Sequence, residues 1–98
     1  YRILMEKLPE TFDTLRGKFG YFYEFDAEDI NAISQIVNKS FQTLTYFGVN
    51  KSYLSNFVTQ NRLSGIDNIT PIGSALDIGV FWDGYDIIRS LSRTISVR

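Results

Sequence analysis

The sequence predicts an α/β fold, built from a small mixed sheet and helices that are apolar on one face. Segments with strand patterning alternate along the chain with amphipathic segments, which is typical of units with some parallel strand pairing. Of the 98 residues, 44% are hydrophobic and 21% are charged, as in folded domains rather than disordered tails. Because this length supports one hydrophobic core, we expect residues 1–98 to form a single domain.

The first half of the chain is predicted to contain two strands and a helix. Tyr1–Met5 has the composition of a short buried strand, and a turn of helix is expected over Thr11–Leu15. Aromatic residues alternate through Phe19–Phe25, which is strand periodicity. Asp26 is placed to cap a helix that extends to Asn38, because a carboxylate at that position accepts from free backbone N–H groups. The apolar stripe of this helix consists of Ile30, Ile33, Ile36 and Val37.

A strand, a helix and a second strand are predicted next. Phe41–Val49 is strand-like, and Asn50 is placed to cap the helix that follows. Gly65 is expected to end this helix as its C-cap. Ile66–Ile72 is then a further strand, closed by a proline and a glycine. One face of the predicted helix carries Tyr53, Leu54, Phe57 and Val58.

The last part of the chain is predicted to hold a helix and a strand. The pattern of Ser74–Trp82 is ambiguous. Asp83 is expected to cap a helix with Ile87, Ile88 and Leu91 facing inward, and Thr94–Val97 is expected to form the final strand. We expect a homo-oligomer, and pairing through this strand is one route to it, since an uncovered strand edge is a template for another chain.

Composition excludes several classes of function. The chain contains no Cys and no His, which excludes disulfides, thiol nucleophiles, the usual zinc sites and histidine-based triads. The net charge of −1 gives no general attraction to nucleic acid. No apolar run approaches the length of a membrane span. We therefore expect a cytoplasmic protein without a metal site. We interpret Asp83 as a helix N-cap and Asp86 as a residue of the first turn of that helix.

Two aromatic segments have alternative interpretations. Arg16–Phe25 superficially resembles an RNA-recognition strand, but an acidic domain lacks the basic surface that such binding requires. A buried aromatic strand is the better interpretation. Trp82 is expected to anchor the core or an interface, and Gly84 to permit a close backbone approach. A freestanding protein-interaction module, with an aromatic surface around Tyr21, Tyr23 and Trp82, remains an alternative function.

A set of short motifs occurs along residues 41–86. Its segments are Phe41–Leu44, Phe47 with Gly48, Gly65–Gly73, Ala75–Asp77 and Trp82–Asp86. Their order is similar to that in the carboxy-terminal part of the LuxC-type acyl-CoA reductases, relatives of the aldehyde dehydrogenases. The chain begins with Tyr1 rather than Met, and we therefore expect it to be part of a longer polypeptide.

The resemblance implies a function for the longer protein. In that family a Cys upstream of the matched region attacks a long-chain acyl-CoA, and NADPH reduces the acyl-enzyme to an aldehyde. This chain would hold no catalytic residue and would be inert alone. Phe19 and Gly20 match the Phe-Gly of a cofactor-contacting motif, whereas Lys18 and Tyr21 depart from it. Gln42 and Thr43 match the family pattern without an assigned role.

Overall fold

A parallel strand–helix–strand unit forms the centre of the fold. The computed structural model describes residues 1–12, 15, 17 and 19–98. Here β3 (Thr43–Tyr46) pairs in parallel with β4 (Asn68–Pro71), and Thr43 lies opposite Asn68. Helix α1 (Lys51–Asn61) connects the two strands, because parallel neighbours require a crossover connection. The prediction of a small α/β fold with parallel pairing is confirmed at this level.

The start of α1 is as predicted, but its end is not. The Asn50 side chain accepts a hydrogen bond from the Tyr53 backbone N–H at 2.8 Å, which satisfies a donor that the first helical turn leaves free. Arg62 adopts the left-handed conformation with φ 49° and ends the helix. The prediction that Gly65 is the C-cap is therefore wrong. Gly65 instead lies where the chain passes closely over the backbone of Asn38.

Replacement of Asn50 by alanine is expected to destabilise α1. The substitution removes the acceptor for the Tyr53 N–H, and loss of an N-cap of this kind costs about 1 kcal/mol. The midpoint of urea unfolding, followed by circular dichroism, measures the effect. Asn56→Ala is the matched control, because Asn56 lies exposed inside the helix, where alanine is the better helix former. Equal losses in both variants would contradict the capping role.

The first parallel pair consists of β1 (Arg2–Leu4) and β2 (Phe22–Glu24). The strand predicted at Tyr1–Met5 exists, but its burial was predicted wrongly, because every residue of β1 is exposed. The predicted strand Phe19–Phe25 is shortened at both ends. No further layer of the described chain covers this pair, and a two-stranded sheet buries little surface without one.

A 3₁₀ helix, Ile30–Ile33, replaces the long helix that was predicted from Asp26 to Asn38. Asp29, not Asp26, is its cap, and the Asp29 carboxylate accepts from the Asn31 N–H at 2.7 Å. The segment is rich in β-branched residues, which have low helix propensity. Asn61 of α1 donates to the Asn31 side chain at 2.7 Å and so ties the two helices together.

A tight hairpin occupies the Trp-Asp-Gly-Tyr segment. Strands β5 (Phe81–Trp82) and β6 (Tyr85–Asp86) pair antiparallel, with Trp82 opposite Tyr85. Asp83 and Gly84 have φ of 50° and 78°, as the two central residues of a type I′ turn require. The prediction that Asp83 begins a helix is therefore wrong.

Asp86 caps the short helix α2 (Ile87–Ser90), and its carboxylate accepts from the Arg89 N–H at 3.0 Å. The prediction that Asp83 is the cap and that Asp86 lies in the first helical turn is therefore wrong, because the helix begins three residues later and Asp86 is its cap. The inward-facing residues were also mispredicted, since Ile88 and Leu91 are largely exposed. Thr94–Val97 does not form the predicted strand in the described chain. Edge pairing through a regular terminal strand therefore loses its structural basis.

The described residues bury very little apolar surface. Leu54 and Phe57, both on α1, are the only ones that are fully buried, with 3% and 2% exposure. The strands form three separate two-stranded pairs rather than one mixed sheet. The radius of gyration is 16.8 Å, compared with about 13 Å for a compact domain of this length. The chain is therefore extended around one small core.

Candidate functional site

Polar, acidic and aromatic side chains line a cleft of about 450 Å³ at the amino ends of β3 and β4. Ligands of open α/β sheets usually bind at the opposite, carboxyl ends of parallel strands. The cleft thus differs in position from an ordinary dinucleotide crevice. Its lining consists of Gln42, Thr43, Asp67, Asn68, Ala75, Leu76, Phe81, Trp82, Asp83 and Gly84.

Parallel pairing brings together the polar side of the cleft. Thr43 and Asn68 are the first residues of their strands and lie opposite each other. The Asn68 N–H donates to the Gln42 carbonyl at 3.0 Å, which extends the pairing by one residue. The motif segments around Gln42 and Asp67, distant in sequence, therefore meet at one end of the sheet.

The β5–β6 hairpin forms the other wall. A Cβ built on Gly84 would lie 3.0 Å from Oδ1 of Asp67, so the absence of a side chain leaves room for this carboxylate beside the turn. The predicted close approach at Gly84 is confirmed. Trp82 is half-buried and lines the same cleft, which places an aromatic ring and two aspartates around one opening.

The cleft is negatively charged. Among the described residues, neither Asp67 nor Asp83 has a hydrogen-bonding or ion-pair partner on its carboxylate, and no Lys or Arg lines the opening. Such a lining favours a cation and repels the phosphates of a nucleotide. The described part of the chain also lacks a cluster of three acidic residues arranged to hold a metal ion.

Phe19 and Gly20, predicted to contact a cofactor, line a different and more open cavity of about 490 Å³. Phe19 is fully exposed in a turn, and Gly20 has φ 84°. Tyr21 beside them stacks on Tyr1 with ring centroids 5.0 Å apart. Lys18, the departure from the family motif, lies outside the described residues.

An apolar groove separates α1 from the β3–β4 pair. Its volume is about 450 Å³, and apolar side chains from both strands and from the helix face it. Lys51, at the first turn of α1, is the one cation among the described residues that line it. The full lining is Tyr46, Lys51, Leu54, Ser55, Val58, Thr59 and Ile69.

An ion pair joins β1 to β2. Arg2 donates to both carboxylate oxygens of Glu24, with distances of 2.6 and 2.8 Å. The hydrogen bonds from Arg2 hold the pKa of Glu24 below its ordinary value of 4.5. The pKa of Arg2 is raised by the same contact.

Glu24→Gln is expected to remove a pH-dependent contribution to stability. Since folding lowers the pKa of Glu24, the ion pair stabilises the native state at neutral pH and loses its effect as the pH falls below about 4.5. Unfolding midpoints of wild type and variant should therefore converge in acid. Because the pair is exposed, added salt should also reduce the difference. Glu28→Gln is the control, and an identical pH profile for both variants would contradict the assignment.

No protein-family model, curated protein sequence or solved structure matches the chain. None of the helices in the described residues has the length and apolar character needed to cross a membrane.

Proposed function

We propose that the chain is the carboxy-terminal segment of a LuxC-type, NADPH-dependent fatty acyl-CoA reductase. On this proposal the parent is a cytoplasmic homo-oligomer, and its nucleophilic Cys and cofactor site lie upstream. The segment is inert alone and contributes structure. The order of the motifs and the surface properties of the chain support this assignment.

One observation carries the structural role. The accessible surface is 8782 Å² for a mass of 11.3 kDa, whereas a folded monomer of that mass exposes about 5,700 Å². Large permanent interfaces cover about 2,000–5,000 Å² summed over both partners, so the excess of about 3,000 Å² on this one chain is at least the share of one partner. Large apolar side chains such as Phe47, Leu76 and Val97 are almost fully exposed. A freestanding interaction module would bury most of these apolar side chains within its own fold. The exposed apolar surface therefore favours a segment of a larger protein over a freestanding module.

The motif segments support the same proposal. Residues from several of the segments that carry the resemblance border a single cleft, namely Gln42, Thr43, Asp67, Asn68 and residues 82–84. Motif residues that act together in one part of the parent structure must lie close together in space, and these do. The acidic lining disfavours binding of CoA or NADPH phosphates there, in agreement with a cofactor site elsewhere in the parent.

Immunopurification from source cells with an antibody to this chain tests the proposal. We expect a polypeptide several times larger that oxidises NADPH in the presence of a long-chain acyl-CoA. Replacement of its upstream active-site Cys by Ala should abolish that activity, and replacement of another Cys in the parent is the control. A species no larger than this chain, or a larger one without such a Cys, would refute the reductase assignment.

A further inference from the structure

We infer that the cleft between the strand ends and the β5–β6 hairpin binds a small organic cation, an ammonium group attached to an apolar body. The residues that carry this inference all lie within the described chain. It goes beyond the proposed function and does not depend on the chain being part of a reductase.

The volume and the lining of the cleft suit a small molecule. About 450 Å³ lies within the range of small-molecule sites, which combine apolar walls with a few polar groups. Phe81, Trp82 and Leu76 supply apolar surface, and Asn68 and Gln42 supply amide groups. A ligand that filled this space would contact both strand ends and the hairpin at once.

Charge selects the class of ligand. Asp67 and Asp83 bring two carboxylates to the opening, and no described basic residue in the lining neutralises them. A cation placed there is attracted by both carboxylates, and Trp82 in the same lining offers an aromatic ring for a cation–π contact. Trp provides the strongest attraction of this kind among the aromatic residues.

Geometry favours an organic cation over a metal ion. A hard divalent metal requires six or more oxygen ligands, and the described chain offers no group of three acidic side chains suited to one. Leu76, Phe81 and Trp82 carry no oxygen ligand, so the described lining would supply few of the ligands that such an ion requires. An alkylated ammonium is weakly hydrated and gains from contact with Trp82 and Phe81.

Isothermal titration of the intact protein that carries this chain tests the inference. Choline is the cationic probe, 3,3-dimethylbutan-1-ol is its neutral isostere, and calcium chloride tests the metal alternative. We expect saturable choline binding that weakens with added salt, and at least about fivefold weaker binding of the isostere. Absence of choline binding, equal binding of the isostere, or binding of calcium alone would each overturn the inference.

Variants locate the site. Asp67→Asn and Asp83→Asn preserve side-chain shape, and each should weaken choline binding about fivefold. Trp82→Leu should weaken it by a similar factor through loss of the ring face. Asp77→Asn is the matched control, since Asp77 is exposed and lies outside the cleft lining. Circular dichroism of each variant establishes its folding, and equal loss in the control would also overturn the inference.

Discussion

Gly65→Ala is expected to lower the free energy of unfolding by about 3 kcal/mol, near the upper end of the usual cost of overpacking. A Cβ on residue 65 would lie 1.9 Å from the backbone oxygen of Asn38 and 3.3 Å from that of Phe41. Both atoms belong to backbone, so neither moves aside as the tip of a flexible side chain would. The substitution therefore requires displacement of the turn that precedes β3.

This displacement would reach further than the clash itself. The Ile66 N–H donates to the Phe41 carbonyl at 2.6 Å. This hydrogen bond lies two residues before β4 and joins the segment that precedes β4 to the segment that precedes β3. Gly79→Ala is the matched control, because the nearest atom to its added Cβ, a backbone oxygen of Phe81, is 4.0 Å away. Urea unfolding of both variants measures the difference. Similar stability of the two would show that the close approach at Gly65 does not contribute.

Phe57→Ala is expected to cost about 3 kcal/mol, the lower end of the range for buried aromatic residues. Phe57 is 2% exposed, and only Leu54 is comparably buried among the described residues. Because the core is so small, no neighbouring cluster can compensate for the lost contacts. The loss would leave α1 held largely by Leu54 and by hydrogen bonds at its ends.

Phe47→Ala provides the comparison for this prediction. Phe47 is 85% exposed, so its truncation should change stability by less than about 0.5 kcal/mol. The unfolding midpoints of the two variants, measured at equal protein concentration, should differ clearly. If Phe47→Ala were as destabilising as Phe57→Ala, the core would have to extend beyond α1.

Features determined by neighbouring residues were predictable from sequence. Asn50 caps α1 through a contact three residues ahead, and such a contact depends on the local chain alone. The parallel arrangement also followed from the alternation of strand and helix patterns. Asp83 was misassigned because Asp favours both helix caps and type I′ turns, although the Asp-Gly pair followed by Tyr85 is a strong hairpin signal.

Features determined by distant contacts were not predictable. The close approach of Gly65 depends on Asn38, and no local pattern indicates that contact. Asp67 became part of the candidate site only because β4 pairs with β3 and the hairpin lies beside it. Gln42 and Thr43 had no assigned role in the sequence for the same reason. Identification of the cleft therefore required the folded arrangement.

The confinement of the core to α1 has a consequence for amide hydrogen exchange. Exchange rates report local opening, and segments with few buried contacts open at little cost in free energy. Helix α1 carries both Leu54 and Phe57, so its backbone amide hydrogens should exchange with solvent most slowly. Those in the exposed segment 94–97 should exchange first, and those of β1, which has one strand partner, should follow. The chain should thus open in successive parts, from its two ends toward α1.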